Sequence, residues 1–203
     1  MRTAHKINDK LVCIESDNGI VQKVWDIKDE TEMDKEPQNG RFLQYYASGY
    51  LAISGQYKDG KMDGEWKYYH GNGELKNLFH CKNGVVDGDY AEVSEGGVEI
   101  TSGHYTNGKK SGKWTWRYES GEVKESGSYK DDVLDGEFIC FYKNGIVRET
   151  GKYVKGELHG EYKTYFKDGS LRATGTNVRG KPRRITTNSN LEIIINKLTK
   201  GEN

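Results

Sequence analysis

Between residues 40 and 183 apolar and polar side chains alternate over short runs, and a glycine-rich turn closes each run. Alternation of this kind predicts half-buried β-strands joined by tight turns. The alternation is itself periodic. A glycine opens a cycle at Gly40, Gly64, Gly88, Gly112, Gly136 and Gly160, a spacing of 24 residues. Rings follow at fixed distances from it: Phe42 and Tyr46, Trp66 and His70, Trp114 and Tyr118, Phe138 and Tyr142, Tyr162 and Phe166. Their even spacing puts each pair on one face of an extended strand. A turn glycine comes next (Gly49, Gly73, Gly97, Gly121, Gly145, Gly169), then an apolar residue such as Leu51, Leu75, Val123, Val147 or Leu171. Farther along the return strand a glycine precedes a tyrosine of the same parity, as in Gly55 with Tyr57, Gly127 with Tyr129 and Gly151 with Tyr153. A glycine there lets a ring from the neighbouring strand lie across the backbone. A second turn, such as Asp59-Gly60, leads to the next cycle. One cycle is one hairpin, and a fixed period of this length is the mark of a repeat architecture.

A second ring series, Tyr45, Tyr69, Phe141 and Tyr165, with Val93 and Arg117 at the equivalent places, has the opposite parity. Either both faces carry rings or a bulge rotates the strand at that point.

Residues 1–39 lie outside the period. LVCIES and IVQKVWDI flank Asn18-Gly19, a hairpin signal, and the hairpin is expected to cover the first repeat. The polar segment that follows, closed by Pro37, reads as a linker. Residues 184–203 are expected to form a second cap, because Ser189 to Glu192 fits a capping box and Leu191, Ile194, Ile195 and Leu198 share a helical face. The predicted fold is therefore all-β. It is an elongated antiparallel β-meander of six 24-residue hairpin repeats, with an N-terminal hairpin and a short C-terminal helix as caps.

Composition agrees with a thin sheet rather than a compact globule, since only 33% of the 203 residues are hydrophobic and 31% are charged. Lys+Arg and Asp+Glu both number 31, so net charge gives no basis for attraction to nucleic acid. Cys13, Cys81 and Cys140 are odd in number and far apart, which suits reduced thiols. The start of the chain lacks the apolar stretch of a secretory signal, and a cytoplasmic protein is expected.

The consensus of the cycles, roughly G-x-W-x-x-Y-Y-x-x-G-x-L-x-x-x-G-x-Y-x-x-G-K-x-x, resembles the MORN repeat (membrane occupation and recognition nexus) over residues 40 to 183. It is most similar to the variant in bacterial proteins labelled as antitoxin components. The resemblance implies a single-layer sheet that binds a partner on its face. The implied partner is a protein, such as a toxin or effector, and the alternative is a scaffold or membrane-surface adaptor.

Candidate chemistry is sparse. Gly55–Met62 and Gly103–Lys110 nearly match a phosphate-binding loop, but both lack the final Ser or Thr and neither opens a helix. His80 and His104 are one cycle apart, two strands and so about 10 Å, too far to share a metal ion. No nucleophile–base arrangement is legible, and no enzyme activity, cofactor or metal site is expected. The third cycle departs from the pattern: Val93 and Ser94 replace rings, and Asp87, Asp89, Glu92, Glu95 and Glu99 gather there. The fourth brings Lys109, Lys110, Lys113 and Arg117. An acidic patch beside a basic one reads either as a docking surface or as a solvated face. Trp66, Trp114 and Tyr118 read as an aromatic ladder holding the hairpins together. Tyr68 and Trp116 are the better recognition candidates, because most cycles have no ring there. The candidate partner-binding residues are thus Tyr68, Asp87, Asp89, Glu92, Glu95, Glu99, Trp116 and Arg117. The basic cluster Arg179, Lys181, Arg183 and Arg184 ahead of the terminal helix reads as part of the cap, with membrane attachment as the other use.

Overall fold

The computed structural model describes residues 1–187. Its strands form one antiparallel meander in which spatial order follows sequence order. Three strands precede the repeats: β1 (Arg2–Ile7), β2 (Lys10–Asp17) and β3 (Ile20–Asp26). Each cycle then supplies two. β4 (Gly40–Tyr45) is followed by β5 (Leu51–Lys58), β6 (Lys61–Tyr69) by β7 (Leu75–Lys82), and β8 (Val85–Val93) by β9 (Glu99–Thr106). β10 (Lys109–Arg117) and β11 (Val123–Lys130) continue the series, then β12 (Val133–Phe141) with β13 (Val147–Val154), and β14 (Glu157–Tyr165) with β15 (Leu171–Val178). β16 (Lys181–Thr187) comes last. The chain divides into two compact units, one ending at Lys109 and the other beginning at Lys110.

The all-β meander matches the expectation, with differences at both ends. The N-terminal hairpin forms as β2 and β3 around Asn18-Gly19, and β3 pairs with β4, Trp25 standing opposite Phe42. A further strand, β1, lies outside it, reached through a turn at Asn8 and Asp9 that has φ of 48° and 62°. The linker contains a short 3-10 turn at Glu30–Glu32, capped by the Asp29 carboxylate, which accepts from Thr31 N–H. Residues 184–187, assigned by sequence to the C-terminal cap, continue β16 instead. The amphipathic helix expected from Leu191 onward lies outside the described residues.

Two turn types alternate, each with its own reason for its residues. Between cycles the chain reverses through two residues with positive φ, Asp59 (51°) and Gly60 (72°), or Asn83 (53°) and Gly84 (83°). That is the type I′ turn, whose twist matches the strands and which favours Asn, Asp and Gly. Within a cycle the reversal is longer. Gly49 N–H donates to Tyr46 O at 2.9 Å, and Tyr46 N–H donates to Tyr50 O at 2.9 Å, with Gly49 in the left-handed region.

Register settles the parity of the second ring series. Tyr68 opposes Asn77, but Tyr69 opposes Leu75, so the return strand carries an extra residue there. The same shift follows Gln44, Glu92, Trp116, Cys140 and Thr164. The extra residue is in the return strand, so Tyr69 keeps its own parity and shares the opposite face with Glu65 and Lys67, with which it lines a groove. The first alternative is therefore realised: both faces carry rings, and the bulge sits in the return strand without turning Tyr69.

The core lies on the Trp66 face. Trp25, Trp66 and Trp114 are almost wholly buried, as are Cys13 and Cys140. Phe42, Tyr57 and Trp66 pack together with centroids 5.6, 6.0 and 5.2 Å apart, Tyr57 meeting the other two edge-on. Between β5 and β6 the register jumps: Ser54 opposes Lys67, yet Gln56 opposes Asp63. Gly64, Glu65 and Trp66 thus face Gly55 alone, which bends β6, and Gly64 makes the bend at φ 73°. The bend lays the Trp66 indole onto Gly55, where a Cβ would sit 2.3 Å from the ring. Trp25, Cys13 and Ile27 of the N-terminal segment extend this cluster, so the cap works by joining the ring face. Arg2 ties it down, lying 5.1 Å over Trp25 and bonding to Glu15 (2.8 Å) and Glu36 (3.0 Å). The bond from Arg2 holds the Glu15 carboxyl below the usual range.

Two substitutions test this account. Gly55→Ala forces its methyl into the Trp66 ring, and the expected loss is about 2 kcal/mol in urea unfolding. Lys155, at φ 52°, holds a turn position where the four preceding turns place Asn or Asp (Asp59, Asn83, Asn107, Asp131), so Lys155→Asn should raise stability by about 1 kcal/mol in the same assay.

Candidate partner-binding surface

The sheet offers three kinds of surface: the ring face, the opposite polar face, and the two rows of turns. Residues directly opposite across an antiparallel pair share a face, so the ladders assign each candidate. Tyr68 lies on the ring face, stacked on Phe79 at 5.5 Å and packed against the Trp66 cluster. Burial pushes its hydroxyl pKa up. Trp116 lies on the same face, 5.9 Å from Trp114 and 5.9 Å from Tyr129. Both rings are half-buried members of the ladder.

The acidic residues of the third cycle do not form one patch. Asp87 is occupied at a turn, accepting from Asn107 N–H at 3.0 Å, as Asn39 accepts from Asp59 N–H at 3.0 Å. Asp89 is on the polar face, exposed and 2.8 Å from His104 Nδ1. Glu92 is on the ring face, where it accepts from Thr101 at 3.3 Å. Glu95 stands exposed at the hairpin tip, its carboxylate 4.0 Å from His70 Nδ1. Glu99 is exposed at the start of β9. Arg117 folds back on its own hairpin, with Nη1 3.4 Å from Gly121 O. Among the described residues no group of His, Cys, Asp or Glu is arranged to hold a metal ion.

Three features escape a residue-by-residue reading. First, in four of the six cycles the ring that precedes the tip reaches the next cycle. Tyr46 hydroxyl donates to Tyr69 O at 2.7 Å, Tyr118 to Phe141 O at 3.1 Å and Tyr142 to Tyr165 O at 2.8 Å. His70 takes the same role through Nε2, 2.8 Å from Val93 O, which puts the proton on that nitrogen. Ser94, at the equivalent place, instead accepts from Val98 N–H within its own turn at 3.2 Å. Second, the inter-cycle turns are stacked: Gly84 N–H donates to Met62 O (2.8 Å), Gly108 to Val86 O (2.8 Å) and Gly156 to Leu134 O (2.9 Å). Third, shallow grooves recur on the polar face. One is lined by Arg41, Ser54, Gln56, Glu65, Lys67 and Tyr69. Its counterpart later in the chain is lined by Glu137, Thr150, Lys152, His159, Glu161 and Lys163. Glu65 pairs with Lys67 at 2.6 Å, and Glu161 with Lys163 at 3.2 Å, at equivalent positions. The sequence signal for these pairs is the Glu-x-Lys spacing within the period.

A family model, the MORN repeat variant, matches residues 62–83, 110–131, 134–155 and 158–176. The chain is a MORN-repeat protein. Three of the matched MORN segments begin at residues 110, 134 and 158, the spacing of the cycles. Each starts just after an inter-cycle turn and takes in one hairpin, and the third cycle falls between the first match and the second. MORN repeats are binding repeats for proteins and membranes, so the coarse function of this chain is that of a binding repeat protein. No curated protein matches the chain.

Tyr142→Phe removes one MORN-to-MORN hydrogen bond and keeps the ring. It should cost about 1 kcal/mol, read by denaturant titration. An unchanged midpoint would show that the hydroxyls decorate the ladder rather than hold it.

Proposed function

We propose that the chain is a non-catalytic protein-binding module of the antitoxin or immunity type, which neutralises a partner protein by lying against it with its polar sheet face. The observation that carries this reading is the recurrence of the charged groove, with Arg41, Glu65 and Lys67 in one instance and Glu137, Lys152, Glu161 and Lys163 in the other. Both charge signs at repeat spacing suit a protein surface of mixed charge, whereas nucleic acid would call for one sign. The ring face is less suited to the task. Two of its indoles, Trp66 and Trp114, are consumed in packing, being 2% and 1% exposed. Exposed acids at Asp89 and Glu95 supply rim charge, and the resemblance to bacterial antitoxin components supplies the neutralising role. We place the protein in the cytoplasm, where the buried thiols of Cys13, Cys81 and Cys140 would stay reduced.

A second reading, a scaffold or membrane-surface adaptor, is favoured by one observation: Arg179, Lys181 and Arg183 stand exposed together near the last described turn.

Tagged protein purified from its own cells at low salt should carry one stoichiometric partner, and the purified chain should inhibit that partner's nuclease, protease or other activity. Lys67→Glu with Lys163→Glu should weaken the complex at least about tenfold while lowering the unfolding midpoint only slightly, because the Glu65 and Glu161 pairs it reverses are at the surface. Equal inhibition by this variant would remove the polar face from the reading. A partner left fully active at saturation would end the antitoxin role, and flotation with anionic liposomes would favour the adaptor.

A further inference from the structure

The fourth cycle holds a lysine where its neighbours hold hydrocarbon. Lys110 is equivalent to Met62, Val86, Leu134 and Leu158, which sit on the ring face at the start of their strands. The Lys110 ammonium lies 4.6 Å from the Trp114 ring, 5.0 Å from Trp116 and 5.5 Å from Tyr129. The other cation–ring contacts among the described residues, Arg2 on Trp25 and Arg172 on Phe166, each involve one ring. The three rings around Lys110 are not parallel. Trp116 is inclined 30° to Trp114 and 66° to Tyr129, so together they make a concave corner. Trp114, 1% exposed, is its floor. Trp116, Tyr129 and Lys110 are half-buried, so the corner opens to solvent. Convergent aromatic faces attract a cation electrostatically, and such cages recognise lysine ammonium groups and their methylated forms.

We propose that Trp114, Trp116 and Tyr129 form a recognition cage for a lysine side chain of a protein partner, and that Lys110 fills the cage as an internal ligand in the free protein. The present occupant argues for the future one: a pocket that seats a lysyl ammonium has the depth and the electrostatics for another. Exchange needs no backbone change. Lys110 N–H is held by Asp132 Oδ1 at 2.8 Å and its carbonyl accepts from Asp132 N–H at 3.2 Å, so the backbone stays while the four-carbon stem swings out. Lys110 then sets a threshold. The cage binds with an apparent affinity lowered by the fraction of time Lys110 occupies it. A partner with further contacts clears that threshold, and an isolated lysine does not. The proposal rests on the chain being a protein-binding module, but not on an antitoxin role or on docking by the polar face, since the cage opens on the ring face, and its test needs no natural partner.

The probes are the amide of Nα-acetyl-Nε-trimethyllysine and, as a neutral control of similar stem, Nα-acetylnorleucine amide, followed by tryptophan fluorescence. Lys110→Ala empties the cage and should respond saturably to the trimethyllysine probe, at least about tenfold more tightly than the unaltered protein. Lys110→Met, which refills the site as Met62 does in its own cycle, should not respond, nor should Lys110→Ala combined with Trp116→Ala. A folded Lys110→Ala protein without a saturable response, or one responding equally to norleucine, would overturn the proposal. The unaltered protein gives a check that no substitution can confound. Tetramethylammonium, compared with sodium at equal ionic strength, should displace Lys110 and raise its rate of chemical acetylation at least about threefold, read by peptide mass spectrometry. A rate that does not move would equally overturn it.

Discussion

A one-layer sheet has to bury its apolar side chains without a second layer, and here an indole laid flat on a glycine does it. Trp66 over Gly55 shows the arrangement: the ring covers the neighbouring backbone because no Cβ stands in the way. The contact needs two glycines. Gly55 gives the space, and Gly64, at positive φ, gives the bend that aims the ring. Elsewhere the same niche is filled with other groups. At Gly127 the methyl of Leu134 and the ring of Phe138 approach most closely, and at Gly151 the methyl of Leu158 does. The niche recurs at the period of the chain, at Gly55, Gly127 and Gly151, and the second cycle has Phe79 in its place.

The niche also explains which surfaces are free. Rings committed to covering glycines leave the ring face with little exposed indole, and the polar face then carries the charges. Hydroxyl rungs and stacked turn amides add polar bonds between cycles, so each repeat depends on its neighbours for packing and for satisfied backbone groups, as a one-dimensional array requires. Exposed apolar side chains occur instead beside the turns, as at Tyr50, Val85, Val133 and Phe166.

Much of this was legible in the sequence because strict period and parity act through covalent geometry. The hairpins, the two turn types and the use of Gly55 follow from alternation and positive-φ residues. β1 was not legible, since Arg2–Ile7 lacks strong alternation and its turn, Asn8-Asp9, lacks a glycine. The site was less legible than the fold. Asp87, Asp89, Glu92, Glu95 and Glu99 are close in sequence, but alternation sends Asp89 and Glu92 to opposite faces, a turn engages Asp87, and Glu95 stands at the tip. Proximity along a strand is a poor guide to a patch, because one residue of offset is a change of face.

Lys110 shows what repeat alignment can reveal that composition cannot. Counted with Lys109 and Lys113, it is one of several surface cations. Set beside Met62, Val86, Leu134 and Leu158, it is a charge in an apolar column, and partial burial of an ammonium has to be offset by something local. The offset is the ring corner of Trp114, Trp116 and Tyr129. Trp116 belongs to that account as well: where Glu92 and Cys140 stand in the neighbouring cycles, the fourth has an indole. A lysine or an indole alone would read as drift in a repeat. Both in one cycle, within 5.0 Å of each other, make a cation site built on a frame that otherwise excludes charge from this position.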